Sequence, residues 1–558
     1  MRASVKAIAP SRLSWLDAVW IPVLYASALL VVSPIHSTFN EWGGVMQYFA
    51  GQEMLAGAGY TGWASRFWPP LFSLSIGLGS LLLPGFVAGK AISILAGALL
   101  LYVSYHLAID LTRPRRIGLW TQVFLALSPI FVFQSLQAHN HMLDALLFVT
   151  GLWLYLKALQ RPTAGKLLAV GIACGLAGLT RYTSYVLLAL PLFLFLAPGG
   201  LSVRNGAKLA VAFWIGFSVV SLPWWYANAV SYGSPLSTWE HLNVCTAVAP
   251  GAAAGSLTSL WRCAGQAQLD SILSIIFAYP VRYAEHLVRN GPSVASLLIR
   301  YGGVLAPFVI PAFFESPFSL PRNAWLIVLG QLLLYVLLVS QAFVAEWFLL
   351  SWMALIVLLS VVFLLKYLVR LQEEHAALAR LHFQSLVLAL LIAGGLALTA
   401  RSLLVYAGER ESSAALADLD KVTQALKEHD PDLGSKTLMA VDPGRAYYAG
   451  TKYLATPLLY QGPVVGMVSY SGLSELERAY APKYPANTPV SQLRADYLVY
   501  TKPPPVWSEP QDLPQYEYLL DPATEEIPSN FRVVYRSAQV AVYEIDWPSA
   551  SSADGTGS

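Results

Sequence analysis

The sequence predicts a polytopic all-α membrane protein with a small C-terminal extracytoplasmic α/β domain. Of its 558 residues, 56% are hydrophobic and only 12% are charged, whereas soluble domains carry roughly 25% charged residues. Apolar stretches long enough to cross a bilayer recur along most of the chain. Two parts of the chain differ in net charge. Residues 1–406 carry 23 Lys and Arg against 12 Asp and Glu, and residues 407–558 carry 12 Lys and Arg against 20 Asp and Glu.

Eleven apolar stretches have about the length that a spanning helix needs, and they predict eleven crossings. They lie near residues 16–34, 89–109, 117–134, 143–160, 167–181, 184–198, 208–223, 293–314, 323–341, 347–366 and 384–404. A shorter stretch at 71–86 is bounded by Pro-Pro and Pro-Gly pairs. We expect it to be an interfacial segment that does not cross.

Basic clusters predict the orientation, because Lys and Arg collect on cytoplasmic loops. With a cytoplasmic N-terminus and eleven crossings, these clusters fall on one side. The C-terminal domain is then predicted on the outer face of the cell (inner) membrane, in the periplasm or outside the cell. The loops predicted on that face are 35–70, 135–142, 224–292 and 342–346.

The acidic segment alternates short apolar runs with turns. Strand-like runs are predicted at 436–441, 497–502 and 532–545, and helix-like runs at 416–429 and 473–480. About 150 residues suffice for an independent core, so we expect an α/β domain over 407–548 beside a membrane domain over 1–406. The small, polar residues 549–558 predict a disordered tail.

Composition also excludes some classes of protein. No basic tract is long enough to follow a nucleic-acid backbone, so no nucleic-acid partner is expected. Three cysteines are too few for a disulfide scaffold. The first apolar run is long and is followed by many others, which favours a retained span over a cleaved signal.

The first outer loop contains an acid directly after the first span, Glu41. Apolar surroundings raise the pKa of a carboxyl group toward neutrality, which suits a general base or a cation ligand. The alternative is a solvated carboxylate just past a helix end. Both interpretations stay open on pattern alone.

A second polar cluster, His139-Asn140-His141 with Asp144, precedes a predicted span. Carboxylate oxygens suit Mg²⁺ or Mn²⁺ and imidazole suits Zn²⁺, so Glu41, Asp144 and His141 are a candidate divalent-cation site. The alternative is a wet hairpin tip without a ligand.

Arg181-Tyr182 lies between two apolar stretches that are each barely long enough to cross. An arginine at the membrane edge is unfavourable without a partner, and its guanidinium matches phosphate oxygens. A lipid phosphate is one partner, and anchoring to interfacial headgroups is the alternative.

The long outer loop contains two cysteines, Cys245 and Cys263. In an oxidising periplasm this pair can close a disulfide, although spacing alone does not establish the pairing. Cys174 lies within an apolar helix and is expected to pack there.

Several local patterns, taken in order, resemble the GT-C superfamily of polytopic glycosyltransferases, particularly bacterial relatives of protein O-mannosyltransferases and of the lipid A aminoarabinose transferase. The resemblance covers roughly residues 15–365. The patterns are the acid after the first span, Leu-x-Gly-x-Gly-Tyr at 55–60, Trp68-Pro69-Pro70-Leu71, Leu127-Ser128-Pro129 with Asp144 after it, Gly175 to Thr183, Pro223-Trp224 with Asn228, Gly233-Ser234-Pro235, and Glu346 to Leu350.

The resemblance implies transfer of a sugar from a polyprenyl-phosphate-linked donor on the outer face, to a lipid, glycan or protein acceptor. It implies that Glu41 is the catalytic base, although Asn40 stands where the superfamily usually has Asp. It further assigns Asp144 to catalysis or metal positioning, and Arg181 to the donor phosphate.

The remaining substrate contacts are expected from residues near these three. The candidates are Arg66, Tyr182, His139 and Asn140. The charged pair that aminoarabinose transferases carry before Pro-Pro is Phe67-Trp68 here, so their metal site and sugar are not transferred to this chain.

Two other classes of function compete with the glycosyltransferase. A transporter or flippase for a lipid-linked sugar would use the same charged groups along a pathway, but transporters commonly show internal repeats and midplane sites. No repeat is evident, and the candidate groups collect at one membrane face. A scaffold whose C-terminal domain binds a partner would leave the clustered acids unexplained.

Overall fold

A computed structural model describes the chain over most of its length. The described residues are 14–35, 42–57, 68–197, 200–232, 234–236, 240–250, 263, 271–319, 321–341, 346–375, 382–411, 418–440, 443–455, 495–501 and 531–546.

Eighteen α-helices occur within these residues. They are α1 (Ser14–Val32), α2 (Trp42–Leu55), α3 (Pro70–Gly79), α4 (Gly85–Thr112), α5 (Arg115–Ala126), α6 (Pro129–Leu136), α7 (His141–Gln160), α8 (Ala164–Gly178), α9 (Val203–Tyr232), α10 (Glu240–Val248), α11 (Ile272–Ala278), α12 (Pro280–Arg300), α13 (Ala306–Ser319), α14 (Arg322–Ser340), α15 (Leu350–Glu374), α16 (Phe383–Glu411), α17 (Leu419–His429) and α18 (Pro443–Ala449).

Six helices in the described part of the chain are long and apolar enough to cross a membrane, and two bent helix pairs raise this number to eight. The six are α4, α7, α9, α14, α15 and α16. The chain is therefore a multi-pass membrane protein. Predicted crossings at 16–34 and 167–181 correspond to the shorter apolar helices α1 and α8, and 71–86 contains the ten-residue helix α3.

The bent pairs differ from the straight spans that hydropathy predicts. The axis turns by 64° between α5 and α6, directly before Pro129, which lacks a backbone N–H and disfavours helical geometry in the preceding residue. It turns by 109° between α12 and α13. There Gly303 adopts a positive φ of 55°, a conformation that glycine reaches without steric penalty.

The stretch predicted as a span at 184–198 also departs from α-helical geometry. Residues Tyr182–Leu196 form a 15-residue 3₁₀ helix with Pro191 inside it. Proline removes the N–H that an α-helical hydrogen bond would use at this position. This segment packs against α14, α8 and α7.

The helix α15 lies at the centre of the bundle and is buried along its first two-thirds, up to Leu365. Beside it, α8 and α9 approach so closely that their backbones touch. A Cβ atom added at Gly171 would lie 2.0 Å from the carbonyl oxygen of Phe213, and one added at Gly216 would lie 2.1 Å from that of Leu168. Small residues at such contacts drive helix association in lipid, where close packing replaces the hydrophobic effect.

The C-terminal region contains a five-stranded mixed sheet in the order β2-β1-β3-β5-β4. Its strands are β1 (Thr437–Ala440), β2 (Lys452–Ala455), β3 (Tyr497–Thr501), β4 (Phe531–Arg536) and β5 (Val540–Ile545). β1 pairs in parallel with β2 and β3, and β5 pairs antiparallel with β3 and β4. The predicted α/β character is confirmed here, and α16 continues past the predicted boundary at residue 406 to Glu411. The helix predicted at 473–480 lies outside the described residues.

This sheet domain docks onto the membrane domain through α18. The ring of Tyr447 lies edge-on to that of Tyr48 on α2, with centroids 5.2 Å apart. The backbone N–H of Phe86, at the start of α4, donates to the Tyr447 hydroxyl over 3.2 Å. Phe49 on α2 packs against the core of the sheet domain. The domain therefore lies at the end of the bundle where α4 begins.

We expect Gly171→Ala to lower the free energy of unfolding by about 1–3 kcal/mol, because the added methyl must displace backbone atoms of α9. Gly165→Ala is the matched control on the same helix, since a Cβ there meets no atom within 4 Å. Thermal unfolding of the detergent-purified variants measures both effects. Equal destabilisation by the two substitutions would contradict the close-packing account.

Candidate functional site

The turn His139-Asn140-His141 joins α6 to α7 and forms one side of a buried polar cluster. Asn140 is fully buried, and its side-chain amide donates to the carbonyl of Thr180 over 2.9 Å. Its Oδ1 lies 2.7 Å from Nδ1 of His139. The turn is therefore tied to the residue that directly precedes Arg181.

Asp144 lies in the first turn of α7 and is buried. Its Oδ1 accepts a hydrogen bond of 2.5 Å from the Ser184 hydroxyl, and its Oδ2 accepts one of 2.8 Å from Ser351. These hydroxyls come from the 3₁₀ segment and from the start of α15. An acid at a helix N-terminus also interacts favourably with the helix dipole, so three elements fix this carboxylate.

Arg181 follows α8 and is nine-tenths buried. Its guanidinium lies 5.1 Å from the centre of the Phe348 ring, and its charge interacts with that of Asp144. Among the described residues, its Nη1 atom is buried and has no hydrogen-bond partner. A buried guanidinium donor without an acceptor is unfavourable, so this atom is available to an anionic ligand.

Four aromatic rings pack in series across the cluster, three of them stacked and one edge-on. The rings of His139 and His141 lie 3.8 Å apart, and His141 is nearly parallel to Trp347 at 5.6 Å. Trp68 meets His139 edge-on at 6.4 Å. The other side of His141 is held by Gln134, whose Oε1 lies 2.7 Å from His141 Nδ1.

The helix α2 reaches the same cluster. A Cβ atom added at Gly43 would lie 2.3 Å from Nε2 of His139, so this glycine allows the start of α2 to contact the imidazole. Because α2 begins at Trp42, within the segment predicted as the first outer loop, part of that segment lies against the histidine turn.

His139 is neutral at physiological pH. Burial, and secondarily the positive charge of Arg181, lower its pKa to about 3. A neutral imidazole avoids adding a second positive charge beside Arg181, and it keeps one nitrogen as a hydrogen-bond acceptor.

A mostly apolar cavity of about 370 Å³ lies next to this cluster. Phe348, which contacts the Arg181 guanidinium, lines it, and so does Tyr182. Its other walls come from several elements of the bundle and include Leu188, Trp224 and Val339. The cavity therefore offers an apolar volume within reach of the buried cation.

Most of the residues predicted for the site meet here. The structure brings together His139, Asn140, His141, Asp144, Arg181 and Tyr182. Glu41 and Arg66 lie outside the described residues. The sheet domain and this cluster lie at the same end of the bundle, because the Ser93 hydroxyl of α4 donates to the His139 carbonyl near the helix start that contacts Tyr447.

The described residues contain no group of three or more His, Cys, Asp or Glu side chains placed to hold a metal ion. Both oxygens of Asp144 accept hydroxyl hydrogen bonds, and His141 is engaged by Gln134. The divalent-cation site with Glu41 stays a prediction.

Cys245 and Cys263, which the sequence places in a predicted outer loop, form a disulfide in the structure. Both sulfurs are buried in a satellite apolar cluster that includes Met46 of α2 and Trp224 of α9. Cys174 is buried and carries a free thiol. The disulfide therefore anchors part of the long loop near the apolar cavity.

Sequence reasoning did not identify Ser184 and Ser351, because single hydroxyls inside apolar stretches carry no distinctive pattern. Gln134 was missed for the same reason. Trp347 and Phe348 belong to the Glu-Trp-Phe-Leu-Leu motif, which contributed to the predicted family resemblance. The sequence did not predict their contacts with His141 and Arg181.

Residues 68–226 match the family described as dolichyl-phosphate-mannose-protein mannosyltransferase. This segment contains the histidine turn, Asp144 and Arg181. No curated protein matches the chain.

Two solved structures resemble the chain over most of its length. ArnT from Cupriavidus metallidurans, bound to undecaprenyl phosphate, aligns with a TM-score of 0.57 at 14% identity, covering 96% of this chain and 98% of that one. The oligosaccharyltransferase AglB from Archaeoglobus fulgidus, in complex with an inhibitory peptide and a dolichol-phosphate, aligns with a TM-score of 0.54 at 13% identity, covering 88% and 70%. The predicted resemblance to the GT-C superfamily is thereby confirmed for the fold.

We expect Ser351→Ala to lower the free energy of unfolding by about 1.5–3 kcal/mol, the contribution of a hydrogen bond to a charged group. Ser360→Ala is the matched control, because Ser360 is equally buried on α15 but donates only to the carbonyl of Ile356 in its own helix. Thermal unfolding in detergent measures the stability of both variants. A larger loss for Ser360→Ala would show that Asp144 does not depend on the Ser351 hydroxyl.

Proposed function

We propose that this protein is an integral-membrane glycosyltransferase that moves a sugar from a polyprenyl-phosphate-linked donor to an acceptor on the outer face of the membrane. The observation that carries the proposal is the buried Arg181 guanidinium, with Nη1 unpartnered among the described residues, beside an apolar cavity. The GT-C fold and the family match over residues 68–226 support it.

The donor has two parts, and the site offers a partner for each. A polyprenyl chain is apolar and suits the cavity of about 370 Å³. Its phosphate suits a guanidinium, which donates two parallel hydrogen bonds to phosphate oxygens. Since Phe348 contacts Arg181 and also lines the cavity, one ligand can occupy both.

Asp144 then balances the charge of Arg181 when no donor is bound. Two serine hydroxyls hold the carboxylate in place. We assign it to positioning Arg181 and the histidine turn. His139 and Asn140 offer polar contacts for the sugar.

The proposed base is Glu41, which precedes α2 in the sequence. The start of α2 contacts His139 through Gly43, and this contact supports a base near the cluster. In the reaction the base accepts a proton from the acceptor hydroxyl or amine as this group attacks the anomeric carbon. The bond from that carbon to the phosphate oxygen breaks, and the polyprenyl phosphate leaves with the electron pair, its charge stabilised by Arg181.

A single displacement of this kind inverts the anomeric configuration, because the base acts on the face opposite the leaving group. The competing function, a flippase for the same lipid-linked sugar, needs a pathway across the midplane, whereas the polar residues of the candidate site lie together at one end of the bundle.

We expect Glu41→Gln to lower sugar transfer by about 10²- to 10⁴-fold, the usual contribution of a general base. The assay uses purified protein in proteoliposomes with a panel of radiolabelled polyprenyl-phosphate sugars, with and without EDTA. Glu53→Gln is the control, since it removes another carboxylate, near the far end of α2, that has no assigned role. Full transfer by the folded Glu41→Gln protein would exclude this base, and loss of transfer with EDTA would establish the divalent cation.

Donors that stay intact in the same vesicles but cross the bilayer would replace the transferase with the flippase. Movement is measured as the fraction of donor that is protected from a quencher added outside the vesicles. The two functions are therefore distinguished in one preparation.

We expect Arg181→Gln to raise the Kd for sugar-free polyprenyl phosphate by about 10- to 100-fold, because one or two charge-assisted hydrogen bonds are lost. Arg181→Lys keeps the charge but not the two-pronged geometry, so its effect is expected to be smaller. Arg401→Gln, at an exposed arginine of α16, is the matched control. Unchanged binding by Arg181→Gln, with Tm shifted no more than in the control, would remove Arg181 from the donor site.

A further inference from the structure

A second cavity, of about 310 Å³, lies at the opposite end of the bundle. It is lined by the last turns of α4 and α7 and by the first turn of α14. Asp144 and Lys157 mark the two ends of α7, and a helix of this length separates them by about 20 Å. The second cavity is therefore distinct from the candidate site, and nothing in the proposed function uses it.

Two cations line this cavity. Lys157 projects from α7, and Arg322 is exposed at the start of α14. The ammonium of Lys157 lies 5.1 Å from the centre of the Trp153 ring and 3.6 Å from Asp110 Oδ2. The same Asp110 oxygen accepts a hydrogen bond of 2.8 Å from the Trp153 indole N–H. Asp110 and Trp153 thus hold Lys157 at the cavity wall, while Arg322 adds a second positive charge.

The rest of the wall is largely aliphatic. Leucines of α4 and α7 contribute to it, namely Leu107, Leu111, Leu156 and Leu159. Both helices are long and apolar enough to span a bilayer, and the cavity lies where each of them ends. This position corresponds to the membrane interface, where Trp and Lys side chains concentrate.

The combination selects for a ligand with an anionic head and an apolar body at interfacial depth. Two cations against one carboxylate leave an excess of positive charge, and basic pockets between spanning helices bind anionic lipid headgroups. The same end of the bundle also carries Lys166 and Arg204, near the starts of α8 and α9, whereas Arg115 there is paired with Asp17. The charges of Lys166 and Arg204 add to a field that attracts anions.

We propose that this cavity binds an anionic phospholipid, with the headgroup phosphate between Lys157 and Arg322 and an acyl chain along the leucines. The bound lipid would link α14 to α4 and α7 at the end of the bundle away from the sugar site. This assignment is independent of the sugar-transfer proposal.

Native mass spectrometry of the full-length protein in detergent tests the assignment with phosphatidylglycerol as the probe. We expect the wild type to retain one tightly held phosphatidylglycerol in preference to phosphatidylcholine. Each lost cation is expected to weaken retention about fivefold, so Lys157→Gln with Arg322→Gln weakens it about 25-fold. Arg204→Gln is the matched control, because this exposed basic residue lies at the same end but does not line the cavity.

Three results would overturn the proposal. They are equal retention by the double variant and the wild type, equal loss in Arg204→Gln, and equal binding of phosphatidylcholine. Glycerol phosphate is added in a further arm: displacement of phosphatidylglycerol by this soluble anion at equal concentration would mean that the cavity recognises phosphate alone.

If the double variant does not fold, the single Arg322→Gln variant replaces it, with an expected weakening of phosphatidylglycerol retention of about fivefold. This variant leaves the contacts of Lys157 with Asp110 and Trp153 intact. Polyprenyl phosphate binding by the same variant is expected to be unchanged. A parallel loss of both lipids would instead place them in one site.

Discussion

The structure depends on placing a carboxylate and a guanidinium inside an apolar bundle without leaving either charge isolated. Asp144 meets this constraint through two serine hydroxyls from different elements, and Arg181 meets it in part through Asp144 and the face of Phe348. Satisfying these charges brings together the start of α7, the end of α8, the 3₁₀ segment and the start of α15. The geometry of the candidate site is thus a consequence of how the bundle accommodates its buried charges.

The sheet domain belongs to the same arrangement. Its helix α18 packs on α2 through Tyr447 and Tyr48, and α2 in turn contacts His139 through Gly43. A continuous set of contacts therefore connects the sheet domain to the histidine turn. The C-terminal sheet domain, whose role the sequence left open, forms part of the support for the helix that follows the proposed base.

Sequence reasoning identified the membrane class, the C-terminal α/β domain and most of the polar cluster, because charged groups are scarce in an apolar chain and each one is conspicuous. Asp144 and Arg181 were found in this way. Ser184 and Ser351 were not, since hydroxyls are common in membrane helices and only tertiary contacts show which ones bind a carboxylate. Hydropathy also could not show that Pro129 and Gly303 bend two predicted spans, because it measures composition and not direction.

The 3₁₀ geometry of residues Tyr182–Leu196 changes how membrane crossings should be counted. A 3₁₀ helix rises about 2.0 Å per residue, so 15 residues reach about 30 Å, which equals the hydrocarbon thickness of a bilayer. The same 15 residues as an α-helix would reach only about 22 Å. A segment too short to cross by α-helical standards is therefore long enough here, and topology assignments that assume a rise of 1.5 Å per residue will undercount the crossings of chains that adopt this conformation.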